Sequence, residues 1–154
     1  MANPDSVSQF YLDSFGNGRI AQAQNVSFNT VGNATVTGIV LPILGGGLTQ
    51  SGSTASSGAV ILRRITVSNP SGDVSAAYVT ISTDSAGSNV VVANVALTQL
   101  NGVNKFTDLT IAAPYAASVP VSGNVTQALY VNVTTASGNT NTATISVYGD
   151  VVKF

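Results

Sequence analysis

The 154-residue chain contains no cysteine, histidine or tryptophan, and its sequence has no glutamate either. Each absence closes a route. Without cysteine there are no disulfides and no thiolate nucleophile or metal ligand. Without histidine the commonest general base is missing and a Ser-His-Asp triad is excluded. The only carboxylate side chains are six aspartates, Asp5, Asp13, Asp73, Asp84, Asp108 and Asp150. Asp150 falls near the end of the last expected strand. The other five fall in an arm, a turn or an expected bulge, where aspartate bonds nearby backbone. A Ser-Lys dyad would need Lys105 or Lys153, and neither has Ser-x-x-Lys spacing. The stretch 84–89 offers two candidate calcium ligands, Asp84 and Asn89, which are too few. Gly45-Gly46-Gly47 is followed by no Gly-Lys-Ser/Thr and so is no phosphate loop. These absences predict a non-enzymatic protein with no cofactor and no metal.

Charge is also scarce. Charged residues make up 7% and the formal net charge is −1, where about 25% charged is usual. Only five residues are basic and only Arg63 and Arg64 are adjacent. Nucleic-acid binding needs clustered cations that release counterions, so that role is excluded. A near-neutral surface also lacks a normal defence against self-association, which suits a part carried in an assembly. No membrane role is expected, because the longest apolar run, 38–48, is broken by Gly and Pro and too short to span a bilayer. The first residues lack the basic and apolar regions of a secretory signal. The expected product is soluble and made in the cytosol, and the initial Met weighs against a longer precursor. Sequons begin at Asn25, Asn33, Asn124 and Asn132, about as many as this Asn, Ser and Thr content produces by chance.

What is present reads as β-structure. Hydrophobic residues make up 44%, too many for a disordered chain. Residues 1–24 show no period of 2 or 3.6 and are read as an extended N-terminal arm bearing Phe10, Tyr11, Phe15 and Arg19. That arm either folds back on its own domain or makes an intersubunit contact, since aromatics anchor both cores and interfaces. Residues 25–154 form the expected domain. Pro42 demotes the end of one run to an edge or bulge. The Gly/Ser/Thr stretch 45–58 is a long loop. In the run 59–68, strict alternation places Arg63 with Ile61, Ile65 and Val67, and points Arg64 the other way. Turns follow at 69–72, where Gly72 is expected to accept positive φ, and at 84–87. Asn101-Gly102 marks another turn. The changed spacing of Phe106, Leu109 and Ile111 suggests a bulge near Thr107-Asp108. Residues 114–123, with two prolines, are a longer connection. A further turn is expected at 137–139.

About eight strands with frequent turns predict an all-β, single-domain antiparallel β-sandwich, jelly-roll-like, with the arm in front. An immunoglobulin-like sandwich comes second, without its Cys and Trp hallmarks. For Arg63 and Arg64 two readings stand side by side. Arg63 sits at a strand end and snorkels to solvent, or one arginine bridges to an aspartate of a neighbouring subunit.

The runs Ile65-Thr-Val-Ser-Asn-Pro-Ser-Gly72, Ala76-Ala-Tyr78 and 90–97, with Gln127-Ala-Leu-Tyr-Val-Asn-Val133 and Thr144-Ile-Ser-Val-Tyr-Gly-Asp150, carry a resemblance. Over about residues 60–154 the chain resembles small structural proteins of tailed bacteriophages, the capsid decoration or cement proteins. The resemblance implies a virion protein on the outer capsid surface, often a homotrimer, whose partners are the major capsid protein and its own copies. Phe10, Tyr11, Phe15, Arg19, Arg63 and Arg64 are the candidate interface residues. A tail, fibre or adhesin-like module binding a host glycan through Tyr78, Tyr115, Tyr130 or Tyr148 is the alternative. An enzyme of unfamiliar type comes third.

Overall fold

The computed structural model describes residues 18–32, 40–42, 57–112, 116–120 and 128–153, with side chains for 18–32, 61–112 and 129–150. These residues form nine strands, and no helix occurs among them. The strands are β1 (Arg19–Ser27), β2 (Val40–Pro42), β3 (Ser57–Ser68), β4 (Tyr78–Ser82), β5 (Val90–Ala96), β6 (Phe106–Leu109), β7 (Ala116–Pro120), β8 (Ala128–Thr135) and β9 (Thr142–Lys153).

The strands make two antiparallel sheets. One runs β1-β9-β3-β6, with β7 also paired to β3, and the other runs β2-β8-β4-β5. β6 and β7 share one edge of β3, along Ile65–Ser68 and Ser57–Ile61 respectively. The pairs are nested in sequence: β1 with β9, β2 with β8, β3 with β6 and β7, and β4 with β5. A long doubled ribbon with this nesting is then closed by two further pairings, β9 with β3 and β8 with β4.

Alternation explains which residues face inward. Ile65 and Val67 of β3, Ile145 and Val147 of β9, Val79 and Ile81 of β4, and Val131 and Val133 of β8 are all buried in one apolar cluster shared by both sheets. β-branched side chains suit this pleated, half-buried surface. Each contributes about 1.5–3 kcal/mol when fully removed from water. Ala77, Val79 and Ile81 share the inward face, as their spacing predicts, and Tyr78 is exposed opposite them.

Several local expectations change. Residues 19–24, assigned to the arm, lie in β1 and pair with β9. A strand with two register shifts hides its period of 2 from the sequence. β3 begins at Ser57, inside the expected Gly/Ser/Thr loop, and β7 lies inside the expected connection 114–123. No bulge occurs at Thr107-Asp108. β6 pairs with β3 in unbroken register, and the spacing arises because Phe106 faces outward, 60% exposed, while Leu109 faces the core. In the turn after β3 the left-handed residue is Asn69, at φ 50°, not Gly72. A Cβ at Gly72 would sit 2.6 Å from the Asn141 amide, which would have to shift to admit it. Pro42 does end an edge strand, β2.

One end of the molecule is tied by polar bonds between connections. Asn139 and Asn141 donate through Nδ2 to the carbonyl of Asp73, at 2.7 and 3.1 Å. Ser71 and Thr142 exchange two bonds, Val74 donates to Leu100, and Ser137 donates to Phe28. Asn and Ser supply these loops because their short polar side chains bond to backbone.

Candidate interaction face

The site is built by a bulge in β3. Leu62 and Ile65 are both buried although three residues apart, which strict alternation forbids. The register resolves this. Leu62 pairs with Gly149 and Arg64 pairs with Tyr148, so Arg63 and Arg64 together oppose one residue of β9. Such a bulge adds an unpaired residue and re-aims its neighbours. Both arginines therefore reach solvent on the same side of the sheet. The expected split, with Arg63 on the face of Ile65 and Arg64 on the other, does not hold. Arg63 also lies inside β3, not at a strand end.

Gly149 permits the bulge. A Cβ at that position would overlap the carbonyl oxygen of Ile61. Its N–H donates to the carbonyl of Gly18 at 2.9 Å, holding the start of β1 against β9. A second irregularity, between Arg19 and Ala21, buries both Ile20 and Ala21 and leaves Arg19 paired with Tyr148. Tyr148 thus has Arg19 on one flanking strand and Arg64 on the other. Directly opposed residues stand about 5 Å apart at Cβ, a spacing at which a guanidinium can lie over a tyrosine ring.

Each arginine of the bulge is paired to a different strand. Arg63 Nε donates to Asp150 Oδ2 of β9 at 3.0 Å. Arg64 Nε donates to Asp108 Oδ1 of β6 at 2.9 Å, and Thr66 Oγ1 donates to the same oxygen at 2.6 Å. The aspartate partners of Arg63 and Arg64 are thus in the same chain. Phe106 and Asp108 pair with Ser68 and Thr66, so the exposed aromatic belongs to this outer face.

The outer face of the other sheet is different in kind. β2, β4, β5 and β8 contain no charged residue. Tyr78 is 39% exposed there. Thr134 Oγ1 donates to Asn94 Oδ1 at 2.5 Å, and Asn132 Nδ2 donates to Ser82 Oγ at 3.4 Å.

Sequence reasoning selected Arg19, Arg63 and Arg64, and the fold brings them together around Tyr148. Phe10, Tyr11 and Phe15 lie outside the described residues. Asp150, Asp108, Tyr148 and Phe106 were missed as members of this face. Asp150 is 87 residues from Arg63, and no local pattern joins them. Two other aspartates do act as turn formers. Backbone N–H groups of Asn89 and then Ser88 hold the Asp84 carboxyl below its ordinary range. Ser75, through its side chain and then its N–H, does the same for Asp73. Among the described residues no group of three or more His, Cys, Asp or Glu could hold a metal ion, and no helix is long and apolar enough to cross a membrane.

Comparison with protein-family models, curated proteins and solved structures returns no match.

Proposed function

We propose that this chain is a virion structural protein, a capsid decoration or cement protein that binds and stabilises a phage head from its outer surface. It has no enzymatic role in this reading. Its partners are the major capsid protein and its own copies in a homotrimer. The observation that carries the reading is the gathering of Arg19, Arg63 and Arg64 on the strands that flank Tyr148. Arg and Tyr are the side chains that most often dominate interface energies. A guanidinium also offers planar, directional bonding that few surface residues match.

The strand order supports a jelly-roll-like β-sandwich. Nested pairs closed by β9–β3 and β8–β4 are what a doubled ribbon gives when rolled into two sheets. Jelly rolls occur in capsid and lectin domains alike, so the fold supports the reading without selecting it. In this reading Phe10, Tyr11 and Phe15 contact neighbouring subunits.

Sedimentation with expanded phage heads tests this. The full chain is expected to pellet with heads and to have three times the chain mass in solution. Removing residues 1–17 is expected to weaken the trimer while the β core stays folded. A monomer that stays in the supernatant at every head concentration refutes the reading. The glycan-binding alternative draws on Tyr78, half-exposed beside Thr80 on the charge-free sheet. A glycan array decides it, since any sugar that binds the chain and is lost on Tyr78→Ala supports the alternative.

A further inference from the structure

We infer that Asn101-Gly102 is a site of spontaneous covalent modification, at which the Asn101 side chain converts through a cyclic imide to a carboxylate opposite Asp73. Gly102 has no structural reason to be glycine. Its φ is not left-handed, and a Cβ built on it meets nothing within 4 Å. Gly149, by contrast, is held to glycine by the Ile61 carbonyl, and Gly87 by its φ of 79°. What glycine supplies at position 102 is an unshielded main-chain nitrogen beside an asparagine amide. Asn101 is exposed, and among the described residues nothing bonds its amide. Every other asparagine of the described residues precedes Val, Thr, Pro or Lys. Val and Thr crowd the following nitrogen with a branched Cβ, and Pro has no N–H.

The step needs only water and a base from solvent. The Gly102 nitrogen loses its proton to the base and attacks Asn101 Cγ. A C–N bond forms, the Cγ–Nδ2 bond breaks, and the amide nitrogen leaves as ammonia with a proton from solvent. Water then opens the imide. Opening at Cγ gives aspartate. Opening at the main-chain carbonyl gives isoaspartate, with the chain running through the former side chain. The fold sets the consequence. Asn101 opposes Asp73 in an isolated antiparallel bridge, and like charges directly opposed destabilise such a pair. Beside the bridge, Val74 N–H donates to the Leu100 carbonyl at 2.9 Å, and both side chains are fully buried. The extra main-chain carbon of isoaspartate therefore strains a bridge anchored in the core. The Asp73 carbonyl also receives Asn139 and Asn141, so the modification loosens the end of the molecule where the connections are tied together.

The test holds the full-length protein in mildly alkaline buffer and samples it by peptide mapping with mass spectrometry. The peptide containing Asn101 is expected to gain aspartate and isoaspartate forms well ahead of peptides whose asparagines precede Val or Thr. The other Asn-Gly pair, Asn17-Gly18, is read in its own peptide. Gly102→Ala meets no steric or conformational obstacle. It is expected to keep the parent's melting temperature and to lose most of the conversion. Asn101→Asp stands in for one product and is expected to melt about 1–3 °C below the parent. Salt should reduce that deficit, and an Asp73→Asn background should remove it. Conversion at Asn101 no faster than at asparagines before Val or Thr, or unchanged in Gly102→Ala, overturns the site. An Asn101→Asp variant that melts with the parent overturns the opposition to Asp73.

Discussion

The two sheets bury the same kind of side chain inward and present opposite surfaces outward. Val, Ile and Leu line the shared core from both. The β1-β9-β3-β6 sheet carries every charge found in the described strands, on Arg19, Arg63, Arg64, Asp108, Asp150 and Lys153. The strands of the β2-β8-β4-β5 sheet carry none. In a chain with so little charge, this segregation gathers the strand charges on one sheet. It also leaves the other side with hydroxyl, amide and tyrosine groups, which discriminate partners by shape more than by field.

The sheets also differ in how their irregularities are used. In β3 the bulge turns two arginines to solvent together and is secured by Gly149. In the neutral sheet, β5 is shifted against β4 at two places, which lets consecutive Val91 and Val92 both reach the core. The same device thus exposes an arginine pair on one side and adds core volume on the other.

The largest effect is expected from closing the bulge. Gly149→Val forces a side chain against the Ile61 carbonyl, which cannot rotate away, and should cost about 3 kcal/mol, the upper part of the usual range for overpacking. Urea unfolding monitored by circular dichroism measures it, and a change below the error of the midpoint would show that β3 and β9 tolerate a regular register.

A contrast between faces comes next. Replacing Arg63 and Arg64 together by Ala should weaken head binding by about 2 kcal/mol, roughly thirtyfold, as for an interface hot spot. Tyr78→Ala and Thr80→Ala on the neutral sheet should leave it nearly unchanged. Quantitative sedimentation with heads compares the three, and a larger loss from the neutral sheet would reverse the assignment of faces.

A smaller effect is expected within the ion pair. A double-mutant cycle on Arg63→Ala and Asp150→Ala should give a coupling of about 0.2–1 kcal/mol to folding, because a half-exposed pair is screened by water. Coupling well above this would mean that the pair serves folding first and recognition second.

The smallest concerns pH and the turn that joins β4 to β5. The Asp84 carboxyl is held below its ordinary value by hydrogen bonds from Asn89 and Ser88. A carboxyl lowered in the folded state stabilises the fold at pH values above its unfolded pKa, and that contribution is lost as pH falls through the folded value. Asp84→Asn should therefore lower stability slightly at neutral pH and flatten the decline below about pH 4. Thermal melts across that window report the slope, and a parent and variant with parallel acid limbs would remove Asp84 as a contributor.

The sequence by itself determined the all-β character, the inward faces of the regular runs and most turns. Period-2 runs such as 77–81 and 129–133 and Asn-rich breaks are local signals, because strand faces and turn dihedrals depend on residues a few positions apart. It also selected Arg19, Arg63 and Arg64, because arginine is conspicuous in a chain with 7% charge. Only the tertiary structure decided that these three share a face. β9, placed between β1 and β3, joins residue 19 to residues 63 and 64. A pairing register is set by the whole sheet and not by either strand alone. The bulge was likewise invisible, because its cause is the close approach of Gly149 to the Ile61 carbonyl across the sheet. One extra residue in β3 reversed the direction expected for Arg63, and the physical reason lies in a neighbouring strand nearly ninety positions away.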